Sequence, residues 1–198
     1  MQGTRSNDIT GIILVGGKSR RMGRDKAFLR VGGRTLIDRT IELFQRCFTR
    51  VLLVGDRAER FDEHGLPVVP DIYPGSSLGG LYSGLYHAET EYIFLASCDL
   101  PFPNEAIVRH LCAAREGYDA VVPCREHGYE PLFALYSKRC LDPIKEQIAT
   151  GDYCAYNYFP KIRLRSVPYL ELASLDPEQN AFVNVNTPEE LLEIGGES

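Results

Sequence analysis

Short apolar segments alternate with helix-like segments along nearly the whole chain, and this alternation constrains the possible folds more than any other feature. The predicted strands occupy residues 9–15, 51–54, 67–70, 92–96, 120–123, 132–136, 162–167 and 182–185. The predicted helices occupy residues 36–47, 78–88, 105–115 and 138–148, with a last short helix beginning after Thr187. Strands that are apolar along their whole length belong to sheets with both faces covered, which are mainly parallel. The sequence therefore predicts an α/β fold with a mainly parallel central sheet.

The length of 198 residues and the apolar content of 44% are typical of one globular domain with a full core. We assign this domain to residues 8–194 and expect residues 1–7 and 195–198 to be flexible ends. No apolar run approaches the ~20 residues of a membrane span. The polar N-terminal residues contain no signal-peptide core. These features predict a cytoplasmic protein with no membrane association.

Charge and cysteine content exclude two further classes of protein. The net charge of −5 argues against a general nucleic-acid binder, which would normally be basic. The six cysteines form no Cys-x-x-Cys pair, and no histidine stands near them at zinc-ligand spacing. We therefore expect reduced and mostly buried thiols.

A glycine-rich, basic loop follows the first predicted strand directly. The strand ends at Gly16 and Gly17, and Arg20, Arg21 and Lys26 follow closely. Exposed backbone N–H groups in such a turn form an anion site, and nearby cations can neutralise a polyphosphate. Neither the phosphate-loop ATPase pattern nor the three-glycine dinucleotide pattern is present. The loop predicts a nucleoside-triphosphate site, and a surface turn with solvated arginines is the alternative.

Two aspartates follow predicted strands. Asp99 comes just after an apolar strand, at the sheet edge where ligands of parallel sheets bind. A carboxylate there is well placed to hold Mg²⁺ against phosphate oxygens. Asp71 follows the strand at 67–70, before a run of small residues at 75–80 that leaves room for a base or ribose, and its carboxylate can accept hydrogen bonds from a base. For both residues the alternative is an ordinary turn aspartate.

Two asparagines form a further candidate binding pair. Asn184 and Asn186 flank Val185, which strand alternation would place on the opposite face. Two amides on one face can bind a metal or an oxygen-rich ligand. The alternative is capping of the following helix.

These motifs together resemble the molybdenum cofactor guanylyltransferases, also called molybdopterin-guanine dinucleotide synthases. The resemblance covers residues 9–192 and is carried by LVGGKSRRMG at 14–23 with DK at 25–26, by CDLP at 98–101, and by AFVNVNTPEEL at 181–191. The first motif is shared with a broad superfamily of nucleotidyltransferases. The last is more particular to the guanylyl enzymes.

The resemblance implies a three-layer, Rossmann-like nucleotidyltransferase fold with Mg²⁺ as cofactor. It implies transfer of GMP from GTP to the terminal phosphate of molybdopterin or Mo-molybdopterin. It also implies contacts with other molybdenum cofactor proteins and with recipient molybdoenzymes or their chaperones. Two alternatives stay open. One is a related nucleotidyltransferase that uses CTP or a sugar phosphate, and the other is a non-catalytic GTP-binding protein.

The resemblance and the loop chemistry together assign roles to individual residues. The predicted nucleotide-binding residues are Leu14, Val15, Gly16, Gly17, Arg20, Lys26, Asp71 and Asp99. The predicted catalytic residues are Arg21, Lys26 and Asp99, with Asp99 as the Mg²⁺ ligand. Asn184 and Asn186 are similar to residues on the pterin side. Val54 stands where family members can carry an asparagine.

Overall fold

The computed structural model of the chain describes residues 5–16 and 26–185, together with residues 190, 192 and 195–197. The strands are β1 (Ser6–Leu14), β2 (Arg30–Val31), β3 (Arg34–Thr35), β4 (Phe48–Val54), β5 (Val68–Val69), β6 (Tyr92–Ser97), β7 (Ala120–Arg125), β8 (Gly128–Tyr129), β9 (Phe133–Ser137), β10 (Leu164–Pro168) and β11 (Gly196–Glu197). The α-helices are α1 (Leu36–Cys47), α2 (Ser77–His87), α3 (Glu105–Ala113), α4 (Leu141–Ala149) and α5 (Tyr169–Leu172). Short 3-10 helices occupy Lys26–Phe28, Ala58–His64, Lys138–Cys140 and Phe159–Lys161.

The central sheet is eight-stranded, with the order β10-β7-β9-β6-β1-β4-β5 and with β8 paired to β7. Strand β1 runs parallel to both of its neighbours, β4 and β6, and the pairs β4–β5 and β7–β10 are also parallel. Strand β9 lies antiparallel between β6 and β7. A smaller antiparallel sheet has the order β11-β2-β3. The predicted mainly parallel sheet is therefore confirmed, with β9 and β8 as the antiparallel strands.

Helices cover both faces of the central sheet. On one face, Ile41 of α1 and Leu111 of α3 share a core with Ile13 of β1. On the other face, Leu81 of α2 shares a second core with Ile12, and α4 packs into the same core. Adjacent residues of β1 therefore point to opposite cores, as strand geometry requires. The three-layer α/β arrangement is confirmed.

Helices α1 and α3 begin at polar side chains that cap them. The Thr35 hydroxyl accepts the Asp38 N–H at 3.2 Å, and the Asp38 carboxylate accepts the Thr35 N–H in return, which completes a capping box. The Asn104 side chain accepts hydrogen bonds from the N–H groups of Ala106 and Ile107 at the start of α3. These local bonds satisfy N–H groups that have no partner within the helix.

The strand predicted at residues 182–185 is wrong. The Val183 N–H donates to the Asn180 carbonyl in a turn, and the Val185 N–H donates to the Asp99 carbonyl rather than to a neighbouring strand. Thr187, which was predicted to begin the last helix, lies outside the described residues.

The domain limits of 8–194 stay a prediction. The structure shows that residues just outside both limits also belong to strands. Ser6 and Asn7 belong to β1, and the two residues of β11 pair with β2. All six cysteines lie in the described part of the chain, where none forms a disulfide and three are buried. No helix among the described residues is long and apolar enough to cross a bilayer.

Candidate active site

Strands β1, β4 and β6 end side by side at the carboxyl edge of the sheet. Leu14 pairs with Val54 on one side and with Ser97 on the other. One residue further on, the Val15 N–H donates to the Val54 carbonyl at 3.0 Å. Ligands of open α/β sheets bind outside the carboxyl ends of the strands. The structure therefore brings the segments that follow these three strands to one edge.

Gly55 allows the segments that follow β1 and β4 to start in close contact. A Cβ atom at position 55 would lie 2.9 Å from Val15 Cγ2 and 3.2 Å from the Gly16 nitrogen. The Gly55 N–H also donates to the Val69 carbonyl at 3.1 Å, which ties the end of β4 to β5. Gly55 is not among the predicted site residues. A glycine directly after a buried strand was the available signal, because it marks a close approach of two backbones.

The structure describes the beginning of the predicted nucleotide loop, up to Gly16. The side chains of Leu14 and Val15 are buried, with 8% and 9% exposure, so a ligand at the edge meets their backbone. Gly16 is exposed. Three predicted loop residues and the side chain of a fourth lie outside the described residues, namely Gly17, Arg20, Arg21 and Lys26.

Asp71 lies between β5 and α2 with one carboxylate oxygen bonded and the other available. Its Oδ1 accepts the Ser83 hydroxyl at 2.9 Å and the Tyr73 N–H at 3.1 Å. Within the described part of the chain its Oδ2 accepts no hydrogen bond. Burial raises the pKa of the Asp71 carboxyl, the bonds from Ser83 and Tyr73 oppose the rise, and the charge of Asp56 adds to it. The available oxygen suits a ligand with N–H donors.

Two of the small residues predicted at 75–80 to leave room for a base or ribose, Gly79 and Gly80, serve packing instead. Gly79 and Gly80 are buried. A Cβ atom on Gly79 would lie 1.9 Å from the Tyr73 carbonyl oxygen, and one on Gly80 would lie 2.9 Å from Leu14 Cδ2. Ser76 caps the helix by accepting the Gly79 N–H at 3.0 Å. Glycine is required here so that α2 can approach the Asp71 loop and β1.

Asp99 connects two segments of the edge. The Ser97 hydroxyl donates to Asp99 Oδ1, which orients the carboxylate. The Asp99 carbonyl accepts the Val185 N–H at 3.3 Å. The Val185 side chain is fully buried in a small core with Leu29 and Leu36. Because Val185 is anchored in this way, the segment before it is held beside Asp99.

Asn184 occupies that segment. It is exposed, while the neighbouring Val185 is buried. Asn186, the second predicted amide, lies outside the described residues. The structure thus brings Asn184 to the same edge as Asp99.

The donor set at Asp99 fits Mg²⁺. Among the described residues, no group of three or more His, Cys, Asp or Glu side chains could hold a metal ion. Asp99 offers a single carboxylate, and its Oδ2 accepts no hydrogen bond from the described part of the chain. Mg²⁺ usually takes one or two protein carboxylates and completes its shell with water and phosphate oxygens. A lone carboxylate at the edge of the sheet meets that requirement.

Comparison with known proteins decides the family. Residues 11–161 match the MobA-like NTP transferase domain. The chain belongs to this family of nucleotidyltransferases. It is 36% identical to a probable molybdenum cofactor guanylyltransferase from Pelotomaculum thermopropionicum, over 92% of this chain and 90% of that protein. It is also 36% identical to a molybdenum cofactor guanylyltransferase from Desulfosudis oleivorans, over 92% of both chains.

A solved structure of a MobA-like protein agrees with this assignment. The crystal structure of molybdopterin-guanine dinucleotide biosynthesis protein A from Archaeoglobus fulgidus has a TM-score of 0.83 with this chain, at 25% identity. The alignment covers 94% of this chain and 96% of that one. The resemblance drawn from the sequence motifs is therefore confirmed.

Val54, the last residue of β4, is buried. Its side chain is 2% exposed and lies in the core beneath α2. Its carbonyl accepts the Val15 N–H. Position 54 therefore contributes backbone contacts to the edge and no polar side chain.

Proposed function

We propose that this MobA-like nucleotidyltransferase transfers GMP from GTP to the terminal phosphate of molybdopterin, and releases pyrophosphate. The observation that carries the proposal is the meeting of three segments at one sheet edge: Gly16 after β1, Asp71 after β5 and Asp99 after β6. The names of the relatives support the choice of guanine nucleotide and molybdenum cofactor.

In this proposal the nucleotide spans the segments after β1 and β5. The available Oδ2 of Asp71 accepts N–H donors from the edge of guanine, which adenine does not offer in the same pattern. The triphosphate lies against the loop that begins at Gly16. The residues proposed to hold it are Gly17, Arg20, Arg21 and Lys26, together with the backbone of Leu14 and Val15.

The proposed chemical step is an in-line displacement at phosphorus. An oxygen of the acceptor phosphate attacks the α-phosphorus of GTP, and the bond to the departing pyrophosphate breaks. A phosphate monoester is already ionised near neutral pH, so the step requires no general base. Positioning and charge stabilisation then supply the catalysis. Arg21 and Lys26 are proposed to stabilise the negative charge of the leaving pyrophosphate.

Asp99 is proposed to hold Mg²⁺ and to be oriented for this by the Ser97 hydroxyl. When bound there, the ion neutralises charge on the phosphate oxygens. Asn184 and Asn186 are proposed to bind the acceptor. The hydrogen bond from Val185 to Asp99 supports this arrangement, because it holds the Asn184 segment beside the metal-holding loop.

We further propose that the protein acts in the cytoplasm. Its proposed protein partners are other molybdenum cofactor proteins and recipient molybdoenzymes or their chaperones, which would deliver the acceptor or receive the product. The relatives' names, which include molybdenum cofactor guanylyltransferase, motivate this choice of partners.

The test is a turnover assay with molybdopterin, Mg²⁺ and each of the four nucleoside triphosphates, with pyrophosphate release as the readout. GTP is expected to give the highest rate, and omission of molybdopterin or addition of a chelator is expected to abolish release. Higher turnover with CTP would identify a cytidylyl enzyme. Turnover with a sugar phosphate in place of molybdopterin would identify a different acceptor. Tight GTP binding without turnover would indicate a non-catalytic GTP-binding protein.

A further inference from the structure

A charged pair lies at the carboxyl edge of the sheet, on the hairpin formed by β7 and β8. Arg125 Nη1 donates to Glu130 Oε1 at 3.3 Å. The two side chains are only 38% and 27% exposed. Within the described part of the chain, Glu130 Oε2 accepts no hydrogen bond. Burial raises the pKa of Glu130, and Arg125 opposes the rise. The contact with Arg125 therefore offsets only part of the free-energy cost of burying this negative charge.

Backbone hydrogen bonds locate Glu130 relative to Asp99. The Glu130 N–H donates to the Pro123 carbonyl of β7 at 2.9 Å, and the Leu132 carbonyl accepts the Ser97 N–H of β6 at 3.0 Å. The segment between these bonds therefore lies between β7 and β6, one strand spacing or about 5 Å from each. Glu130 thus lies one strand away from the end of β6, the strand that leads to Asp99.

The pair also lies on the same face of the sheet as the segment that carries Asn184. Val121 of β7 shares a core with Phe133 and Phe182, and the ring centroids of Phe133 and Phe182 are 5.9 Å apart. Side chains two and four residues apart on a strand point to the same face. Arg125, four residues beyond Val121, therefore points to the face that Phe182 covers.

We propose that Glu130 and Arg125 bind the pyrimidinone edge of the acceptor's pterin ring. This inference rests on the proposed function. The edge carries two adjacent N–H donors, on the ring nitrogen and the 2-amino group, next to a carbonyl oxygen. A carboxylate accepts both N–H donors, and a guanidinium donates to the carbonyl. The acceptor phosphate, at the other end of the molecule, is then free to lie near Asp99.

Guanine carries the same N–H donors and carbonyl acceptor as the pterin ring. The two rings are distinguished by where they bind in the site. The strand order β9-β6-β1-β4-β5 places three strands between the Glu130 hairpin and the Asp71 loop. The two carboxylates therefore serve opposite ends of the site. Asp71 lies at the nucleotide end and Glu130 at the acceptor end.

The experiment compares Glu130→Gln with Glu126→Gln, a matched control that changes an exposed carboxylate on the same hairpin. The probes are 6-hydroxymethylpterin phosphate and the corresponding lumazine, which has an oxo group in place of the 2-amino group. Binding is measured by ligand fluorescence with Mg²⁺ and a non-hydrolysable GTP analogue. The wild type and Glu126→Gln are expected to prefer the pterin by ~10–100-fold, the effect of losing a hydrogen bond to a charged group. Glu130→Gln is expected to lose most of this preference and to keep its GTP affinity.

A second variant separates recognition from folding. Arg125→Lys retains the charge and loses the planar donor pair. It is expected to weaken binding of pterin and lumazine by the same factor, because both ligands carry the carbonyl group. Equal binding of the two ligands by the wild type, or an unchanged preference in Glu130→Gln, would overturn the proposal.

Steady-state kinetics distinguish failure of this inference from failure of the proposed function. The KM for molybdopterin is expected to rise about 10-fold or more in Glu130→Gln, with kcat and the KM for GTP close to wild type. If the wild type turns over GTP and molybdopterin but both glutamine variants match it, only the Glu130 assignment fails. If the wild type does not release pyrophosphate from GTP and molybdopterin, the proposed function itself fails.

Discussion

The peptide N–H of Val185 donates to the carbonyl oxygen of Asp99 at 3.3 Å, although the two residues are far apart in the sequence. The bond joins the loop after β6 to the segment that carries Asn184. Because the Val185 side chain is fully buried, this segment cannot shift without disturbing a core. The position of Asn184, the amide proposed to bind the acceptor, is therefore coupled to that of Asp99, the carboxylate proposed to hold the metal.

The first prediction concerns Asp99. Asp99→Asn keeps the shape of the side chain and removes its charge, so turnover is expected to fall by at least ~100-fold, as for loss of one strong transition-state contact. Pyrophosphate release at ordinary Mg²⁺ measures the effect, and circular dichroism checks that the fold survives. Asp62→Asn, at an exposed position, is the control and is expected to retain activity. Near wild-type turnover in Asp99→Asn would remove Asp99 from the site.

The second prediction separates the two ends of the site. Asp71→Ala is expected to weaken GTP binding about 10-fold or more, and ATP binding less, because it removes the acceptor for the N–H donors of guanine. Asn184→Ala is expected to reduce transfer while it leaves GTP affinity close to unchanged. Calorimetric titration of both nucleotides into both variants measures this. A large loss of GTP affinity in Asn184→Ala, with none in Asp71→Ala, would reverse the assignment.

The third prediction uses two buried glycines of α2. Gly79→Ala places a methyl group against the Tyr73 carbonyl, where the ideal Cβ distance is 1.9 Å, so the Asp71 loop has to move. We expect a loss of about 1–3 kcal/mol in the free energy of unfolding and a weaker affinity for GTP. Gly84→Ala meets a side-chain methyl of Ile12 at 2.8 Å, a milder overlap than the 1.9 Å to the Tyr73 carbonyl oxygen, so its losses should be smaller. Urea unfolding and GTP titration compare the two variants. The explanation fails if Gly79→Ala is as stable as Gly84→Ala and binds GTP equally well.

The fourth prediction concerns a structural carboxylate at the opposite edge of the sheet. Asp119 accepts hydrogen bonds from Arg163 and from Arg139, at 2.9 Å and 2.6 Å between Oδ1 and the nearest side-chain nitrogens. The bonds from Arg163, with those from Arg139, lower the pKa of Asp119 from 3.8 to about 2. A carboxyl with a lowered pKa in the folded state stabilises the fold above its unfolded pKa, and the effect is lost as the pH falls toward the folded value.

Asp119→Asn is therefore expected to be less stable than the wild type by about 2 kcal/mol at neutral pH. The difference should shrink as the pH falls from 4 toward 2. Urea denaturation of both proteins between pH 3 and pH 7 measures this. A difference that stays constant or grows on acidification would show that the charge of Asp119 does not contribute in this way.

Much of the fold can be predicted from the sequence because the deciding interactions are local. Thr35 and Asn104 cap helices with side-chain bonds to residues within the next turn, and such bonds depend on neighbouring residues alone. Apolar runs likewise predict buried strands. The same patterns locate the glycine loop after β1 and place Asp99 after β6.

Pairing between distant segments could not be predicted in the same way. Residues 182–185 have the composition of a strand, yet Val185 bonds to the Asp99 loop instead of to a neighbouring strand. Strand β9 has the same apolar character as the parallel strands, yet it runs antiparallel between β6 and β7. A hydrophobic pattern indicates that a segment is buried. It does not indicate which strand the segment pairs with, or whether the pair is parallel or antiparallel.

The sequence by itself determined the α/β class, the family and the type of chemistry, because these depend on residue patterns that are continuous along the chain. Only the tertiary structure decided the close contact of Gly55 with Val15, the use of Gly79 for packing, and the position of the Arg125–Glu130 pair beside β6. Each of these features arises where separate segments meet in space. The free energy of such contacts depends on how the whole sheet is assembled, and no local pattern contains that information.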